Sequence, residues 1–225
     1  MKPRDSAERK SDRQLLWNRL NLMVPRVKLG PDELKPLSDW VRGNGADESL
    51  GPRAQQILGR LFSESFVATP ESWDAAITLV KAPRSSNVFK LIWWELSGKV
   101  RRAKRLLAGM VNNDLSAVNA IGIAVHNLVN SLRRMRQIYA DTKLRNTLPP
   151  LDALARCLTA PVSVYRQTTV AGKLNGCPVS SGSLFILNIG EAAKVEGGER
   201  LVFMRDTWSA CPAERWVPAM LEGVW

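Results

Sequence analysis

Among the 225 residues there is one histidine, His126. Its isolation excludes His-rich metal sites, paired-His mechanisms and the His-Glu-x-x-His zinc helix. A Ser–His–Asp triad would have to draw on His126, and no Gly-x-Ser-x-Gly elbow supplies its serine. Cysteine is scarce as well: Cys157, Cys177 and Cys211 are odd in number, far apart, and form no Cys-x-x-Cys pair. That pattern argues against a disulfide framework or a Cys-rich zinc site, and for a reducing compartment. Neither a Gly-x-x-x-x-Gly-Lys phosphate loop nor a Gly-x-Gly-x-x-Gly fingerprint occurs. The first fourteen residues are polar and charged, without the apolar centre of a signal peptide. No uninterrupted apolar run approaches the ~20 residues that cross a bilayer. Acidic residues are the last shortage, since 21 Asp and Glu face 32 Lys and Arg for a formal charge of +11. The expectation is a soluble cytoplasmic protein, long enough to bury a core without staples.

What is present divides near Pro149-Pro150. Before that point the chain reads as helices punctuated by Pro and Gly. Residues 11–24 carry Leu15, Leu16, Leu20 and Met23 at helical spacing; 31–41 follow a Gly-Pro start; 53–62 carry Ile57, Leu58, Leu61 and Phe62. Thr69-Pro70-Glu71-Ser72 is an N-cap with proline at the first helical position, opening a helix through Trp73, Ala76 and Leu79. Residues 87–110 form a longer helical stretch with Gly98 inside it. The clearest helix is 114–140, where Leu115, Val118, Ile121, Val125, Leu128, Leu132, Met135 and Tyr139 make one apolar stripe. Asp114 suits its N-terminus and Arg133, Arg134 and Arg136 its C-terminal part. Such a helix is ~40 Å long and can run through the middle of a domain.

After the prolines, 151–159 read as a short helix and 162–170 as a strand that alternates Val162, Val164, Arg166 and Thr168. Asn175-Gly176 signals a hairpin turn, 183–189 a buried strand and 211–221 a last helix. The fold class is mainly α, of α+β type, with a small β-hairpin region in the C-terminal half. Charge is uneven too. Between residues 99 and 145 stand Lys99, Arg101, Arg102, Lys104, Arg105, Arg133, Arg134, Arg136, Lys143 and Arg145, against only Asp114 and Asp141. Such a window suits an acidic partner. Only Tyr139 interrupts it, so base stacking is missing and nucleic acid is the weaker expectation.

From Asp114 to Trp225 the order of motifs resembles the C-terminal half of the heme-thiolate monooxygenases, the cytochromes P-450. Asn119-Ala120-Ile121-Gly122-Ile123-Ala124 is similar to the part of the family's central helix that follows its oxygen-activating turn. Leu148-Pro149-Pro150-Leu151-Asp152-Ala153-Leu154 resembles the approach to the helix bearing the Glu-x-x-Arg pair. Ala160-Pro161-Val162-Ser163-Val164-Tyr165-Arg166 is similar to the segment whose arginine contacts a heme propionate. Leu174-Asn175-Gly176-Cys177-Pro178-Val179 resembles the hairpin before a buried strand, and Ala210-Cys211-Pro212-Ala213 the heme-ligand loop. Departures accompany these likenesses. With Pro161 as anchor, Leu154 and Cys157 fall where glutamate and arginine belong; one residue earlier, Ala153 and Arg156 do. Asp152 and Arg156 are spaced to pair instead. Before Cys211 the family's Phe-x-x-Gly-x-x-x-Cys frame gives Met204 and Thr207, with Phe203 one position off. On this division residues 1–113 are a helical region without a recognisable motif and 114–225 the heme-thiolate-like half, within one continuous domain.

The resemblance implies heme b, Cys211 as axial ligand to iron, Arg166 as propionate partner, and Ser116 where the acid–alcohol pair stands. It implies an oxidoreductase, a monooxygenase or peroxide-driven oxidant, fed by a ferredoxin- or flavin-type partner on the basic window. The alternative is a heme-free, degenerate relative that acts as an auxiliary protein and pairs as a homodimer or with a full-length relative. Two readings stand without the family. Cys211-Pro212-Ala213-Glu214 would set a thiol at a helix N-terminus, which favours the thiolate, although Pro218 interrupts that helix. Arg166, in phase with Val162 and Val164, would face apolar neighbours and need a partner. His126 lies beside the apolar stripe as a structural hydrogen-bonder, Cys157 and Cys177 read as buried apolar residues, and the eight tryptophans, Trp93-Trp94 among them, as core or interface anchors.

Overall fold

The computed structural model describes residues 14, 15, 18, 30–81, 96–159, 163–193, 195, 201–204 and 211–225. The helix expected at 11–24 lies mostly outside them, as do Val162 and Trp93-Trp94. The chain is mainly α with a small β region. It forms two compact units: a helical one of Arg19–Cys157 with Arg215–Trp225, and a smaller one of Met1–Asn18 with Leu158–Glu214. This division follows packing, whereas the boundary at 113/114 follows motifs.

In the helical unit, α1 (Pro31–Val41) begins at Gly30, whose N–H donates to the Glu33 carboxylate at 3.3 Å. It buries Leu34, Leu37, Trp40 and Val41. A single 3-10 turn, Asp47–Ser49, leads into α2 (Leu50–Arg60), which starts three residues earlier than its apolar spacing suggests. Helix α3 (Pro70–Lys81) is opened by the cap read from sequence. The Ser72 N–H donates to Thr69 Oγ1 at 3.2 Å, and the Thr69 N–H donates back to Ser72 Oγ at 2.9 Å. Close packing requires glycine between these helices: a Cβ on Gly51 would stand 2.2 Å from the Trp73 ring.

Gly98 corrects the continuous helix expected over 87–110. Its φ of 63° lies in the left-handed region that glycine tolerates, and α4 (Lys99–Met110) starts after it. The long helix α5 (Leu115–Ala140) begins at Asp114 as expected, with Asp114 Oδ1 accepting from Ser116 N–H at 2.9 Å. Its stripe is buried at Val118, Ile121, Val125, Leu128, Leu132 and Met135, but Leu115 is 74% exposed at the first turn. By length and composition α5 could cross a membrane, with a mean hydropathy of 1.3 over its most apolar 18 residues; half of that window is buried. It packs against α1, α2 and α3.

Helix α5 is not uniform. Between its α-helical ends, Leu115–Asn119 and Val125–Ala140, lies a π-helical segment, Ala120–Ala124. Gly122 lets α3 and α4 approach there, since a Cβ would meet Leu79 at 2.8 Å and Leu107 at 3.0 Å. Gln55 of α2 is fully buried beside the segment. Its Nε2 donates to the carbonyls of Ile121 and Ser72, both at 3.0 Å, and its Oε1 accepts from Ser72 Oγ at 2.6 Å. One side chain thus ties three helices together and serves a carbonyl of the wound-out turn. Two short helices follow, α6 (Thr142–Thr147) and α7 (Pro150–Cys157). The last, α9 (Val217–Val224), closes the unit against α1 and α7.

The smaller unit holds four strands. β1 (Val164–Gln167) pairs antiparallel with β4 (Leu184–Leu187), Val164 opposite Leu187 and Gln167 opposite Leu184. β2 (Gly172–Leu174) and β3 (Cys177–Val179) form the expected hairpin, with φ of 48° at Asn175 and 83° at Gly176. Two successive positive φ values match the right-handed twist of the strands, which is why Asn-Gly stands there. β4 departs from expectation. It reads as a buried strand, yet Leu184 is 63% and Ile186 58% exposed. Alternation puts these two on one face, opposite Gln167 and Tyr165, and no described residue covers it. Helix α8 (Ile189–Ala192) follows with Ile189 buried.

Candidate functional site

The residues singled out in the smaller unit converge through a short segment the sequence did not mark. Arg166, half-buried on β1, shares a strand face with the half-buried Val164, as its phase requires. Its Nη2 donates to Met204 Sδ at 3.8 Å. Met204 has a φ of 55°, a left-handed conformation that a long side chain seldom adopts. Its neighbour Phe203 is buried, and the Phe203 carbonyl accepts the Cys211 N–H at 2.7 Å. The pair Phe203-Met204 therefore holds Arg166 on one side and the Cys211 backbone on the other. Positions 166 and 211, 45 residues apart in the chain, share one support.

Around Cys211 the expected helix is corrected. A single 3-10 turn, Pro212–Arg215, follows it and ends before Trp216; α9 is a separate helix. Pro218 sits in the first turn of α9, where its missing N–H is one of the groups a helix leaves unpaired. The proline neither kinks nor breaks anything. The same division weakens the dipole argument, because one short turn aligns few peptide dipoles toward the Cys211 thiol. Cys211 is half-buried, and its carbonyl accepts from the Glu214 N–H at 3.3 Å.

The other thiols separate by environment. Cys157 is buried on α7; burial pushes its thiol up to about 11, only partly countered by the Arg134 charge. At neutral pH it is an inert apolar filler, as read. Cys177 is exposed on β3, against expectation. It lies on a hairpin whose strands bury no residue, so alternation gives its side chain no core to enter.

Ser116 and His126 belong to the helical unit. Ser116 is half-buried in the first turn of α5, with its N–H on Asp114. His126 lies just past the π segment, its ring 5.0 Å from that of Trp73 and tilted by 31°. Asp152 and Arg156, spaced to pair, are both exposed and form no ion pair among the described residues. Nor do any three His, Cys, Asp or Glu side chains gather among the described residues.

The basic window also resolves into parts. Arg136 is occupied within the fold: Nη1 meets Asp47 at 2.7 Å and the guanidinium lies 4.5 Å over the Trp40 ring. Arg145 covers Tyr139 at 5.1 Å. The five cations of α4 are exposed. Sequence reasoning missed Gln55, although a glutamine between Ala54 and Ile57 on an apolar face was the available signal. It missed Met204 as well, whose backbone conformation leaves no mark in composition. No family model, curated protein or solved structure matches this chain.

Proposed function

We propose that this chain is a cytochrome P-450-like heme-thiolate protein, with Cys211 as iron ligand and Arg166 as propionate partner. One observation carries the reading: Arg166 and Cys211 are joined through Phe203-Met204 in a single compact unit. The donor set fits heme b in chemical kind, since it offers one thiol for iron and one guanidinium for a carboxylate. A thiolate-bound heme supplies oxygen or peroxide activation for a monooxygenase or peroxide-driven oxidation. Of the chain's own residues, Arg166 would fix a carboxylate by a charge-assisted fork, and the Cys211 backbone bond to Phe203 holds the main chain that carries the sulfur. The test is the visible spectrum of heme-supplemented protein, ferric and then reduced under CO, beside Cys211→Ala. A Soret band with a red-shifted CO complex, lost in the variant, is the expected result; a folded protein without a Soret band overturns it.

A second reading has its own support. A heme-free auxiliary protein that pairs with a second copy or a full-length relative accounts for the exposed Leu184 and Ile186 on β4. Light scattering then gives a dimer, or pull-down a stoichiometric partner. A clean monomer without a partner removes it.

A further inference from the structure

The charge of the helical unit is segregated onto one helix. Outside α4 its described residues carry twelve Lys and Arg and twelve Asp and Glu; α4 adds five cations and no carboxylate. Lys99, Arg101, Arg102, Lys104 and Arg105 are all exposed, and none forms an ion pair with a described residue. Ala103 and Leu107 anchor the opposite face in the core. This arrangement opposes the helix's own stability. The cations fill its N-terminal part, at the positive end of the macrodipole. Arg101 and Arg105, Lys99 and Arg102, and Arg101 and Lys104 repel at helical spacing. An anion laid along the face relieves both penalties.

We propose that the outer face of α4 docks on the phosphate backbone of a duplex nucleic acid. The composition of the face selects among polyanions. A protein partner needs an apolar, aromatic-rich centre, and here only Leu106 is apolar, 41% exposed. An anionic membrane needs several apolar side chains to insert, and α4 exposes only Leu106 while Ala103 and Leu107 are buried. A single strand needs stacking aromatics, and α4 has none. A duplex backbone needs only cations, with affinity that comes from counterion release and no sequence preference. The absence of aromatics, which counts against single strands, is neutral here. The inference rests on the helical unit alone and is separate from heme binding.

The test is fluorescence anisotropy of the full chain with a labelled random 20-base-pair DNA duplex between 50 and 200 mM salt. Five phosphate contacts give a log–log salt slope of about −4.5, an affinity loss of roughly 500-fold across that range. Arg101→Gln with Lys104→Gln and Arg105→Gln, all exposed, leaves a slope of about −2 and a loss of roughly tenfold. The matched variant Lys143→Gln, Arg145→Gln and Arg156→Gln keeps the wild-type slope, and circular dichroism checks that both variants fold. No duplex binding at 50 mM salt, or an α4 variant indistinguishable from wild type, overturns the proposal. Polyglutamate or phosphatidylserine vesicles that bind as tightly as duplex, with the same loss in the α4 variant, overturn it in favour of an acidic protein or a membrane.

Discussion

The helical unit and the strand-containing unit solve the same problem differently. In the first, whole faces disappear: Leu37, Ala54, Leu107, Ile121, Leu132, Met135 and Leu221 have no exposed surface. In the second, four strands of three or four residues form two separate two-stranded sheets, and Leu174, Leu184 and Ile186 remain more than half exposed. Two-stranded sheets are marginal on their own. Stability is therefore concentrated in the helices, while the residues with candidate chemistry, Arg166 and Cys211, stand on the thinner frame. The protein separates what holds it together from what is proposed to act.

That contrast can be broken most forcefully from the helical side. Leu132→Ala removes a fully buried side chain from α5, and denaturant titration should record a loss of about 3 kcal/mol. Gln55→Leu should come next, at about 2 kcal/mol, because it removes three buried hydrogen bonds, those to the Ile121 and Ser72 carbonyls and that from the Ser72 hydroxyl. Its signature is local: amide exchange should quicken around the π segment, and not in the β2–β3 hairpin. The Cys157 thiol gives a pH test. Its folded value, about 11, lies above the ordinary 9.0, so between those values the native state binds more protons than the unfolded chain. Stability should fall as pH rises through that window, and Cys157→Ala should flatten the decline. Ile186→Ala, on the exposed strand, should shift stability by no more than about 0.5 kcal/mol. A loss as large as that of Leu132→Ala would mean that β4 is covered in solution.

The same contrast decides what was legible in the sequence. Helices α1, α3 and α5 announced themselves because their signals are local: a Gly-Pro start, a Thr-Pro-Glu-Ser cap, a stripe every three or four residues. The Asn175-Gly176 hairpin was equally local. What stayed hidden depends on partners distant in the chain. The π segment leaves the apolar spacing almost intact, and the amide that serves it comes from Gln55, 66 residues away. β4 has the composition of a buried strand, but burial belongs to whatever packs on it. Cys177 misled for the same reason. At the candidate site, Arg166 and Cys211 were readable as residue types with a need for partners. Their shared support was not, because Met204 takes a conformation no propensity favours.

Between α7 and α9 the chain leaves the helical unit at Cys157 and re-enters it at Arg215. In topological terms Leu158–Glu214 is an insertion into a discontinuous domain. Met220, Leu221 and Val224 of α9 are core residues, so a nascent chain that has made α1 through α7 still lacks part of its own interior. The fifty-seven residues of Leu158–Glu214, and then α9 itself, must be synthesised before the gap beside α1 can close. The strand-rich segment therefore emerges while the helices wait, and the order of translation makes its folding the earlier opportunity and their completion the later one.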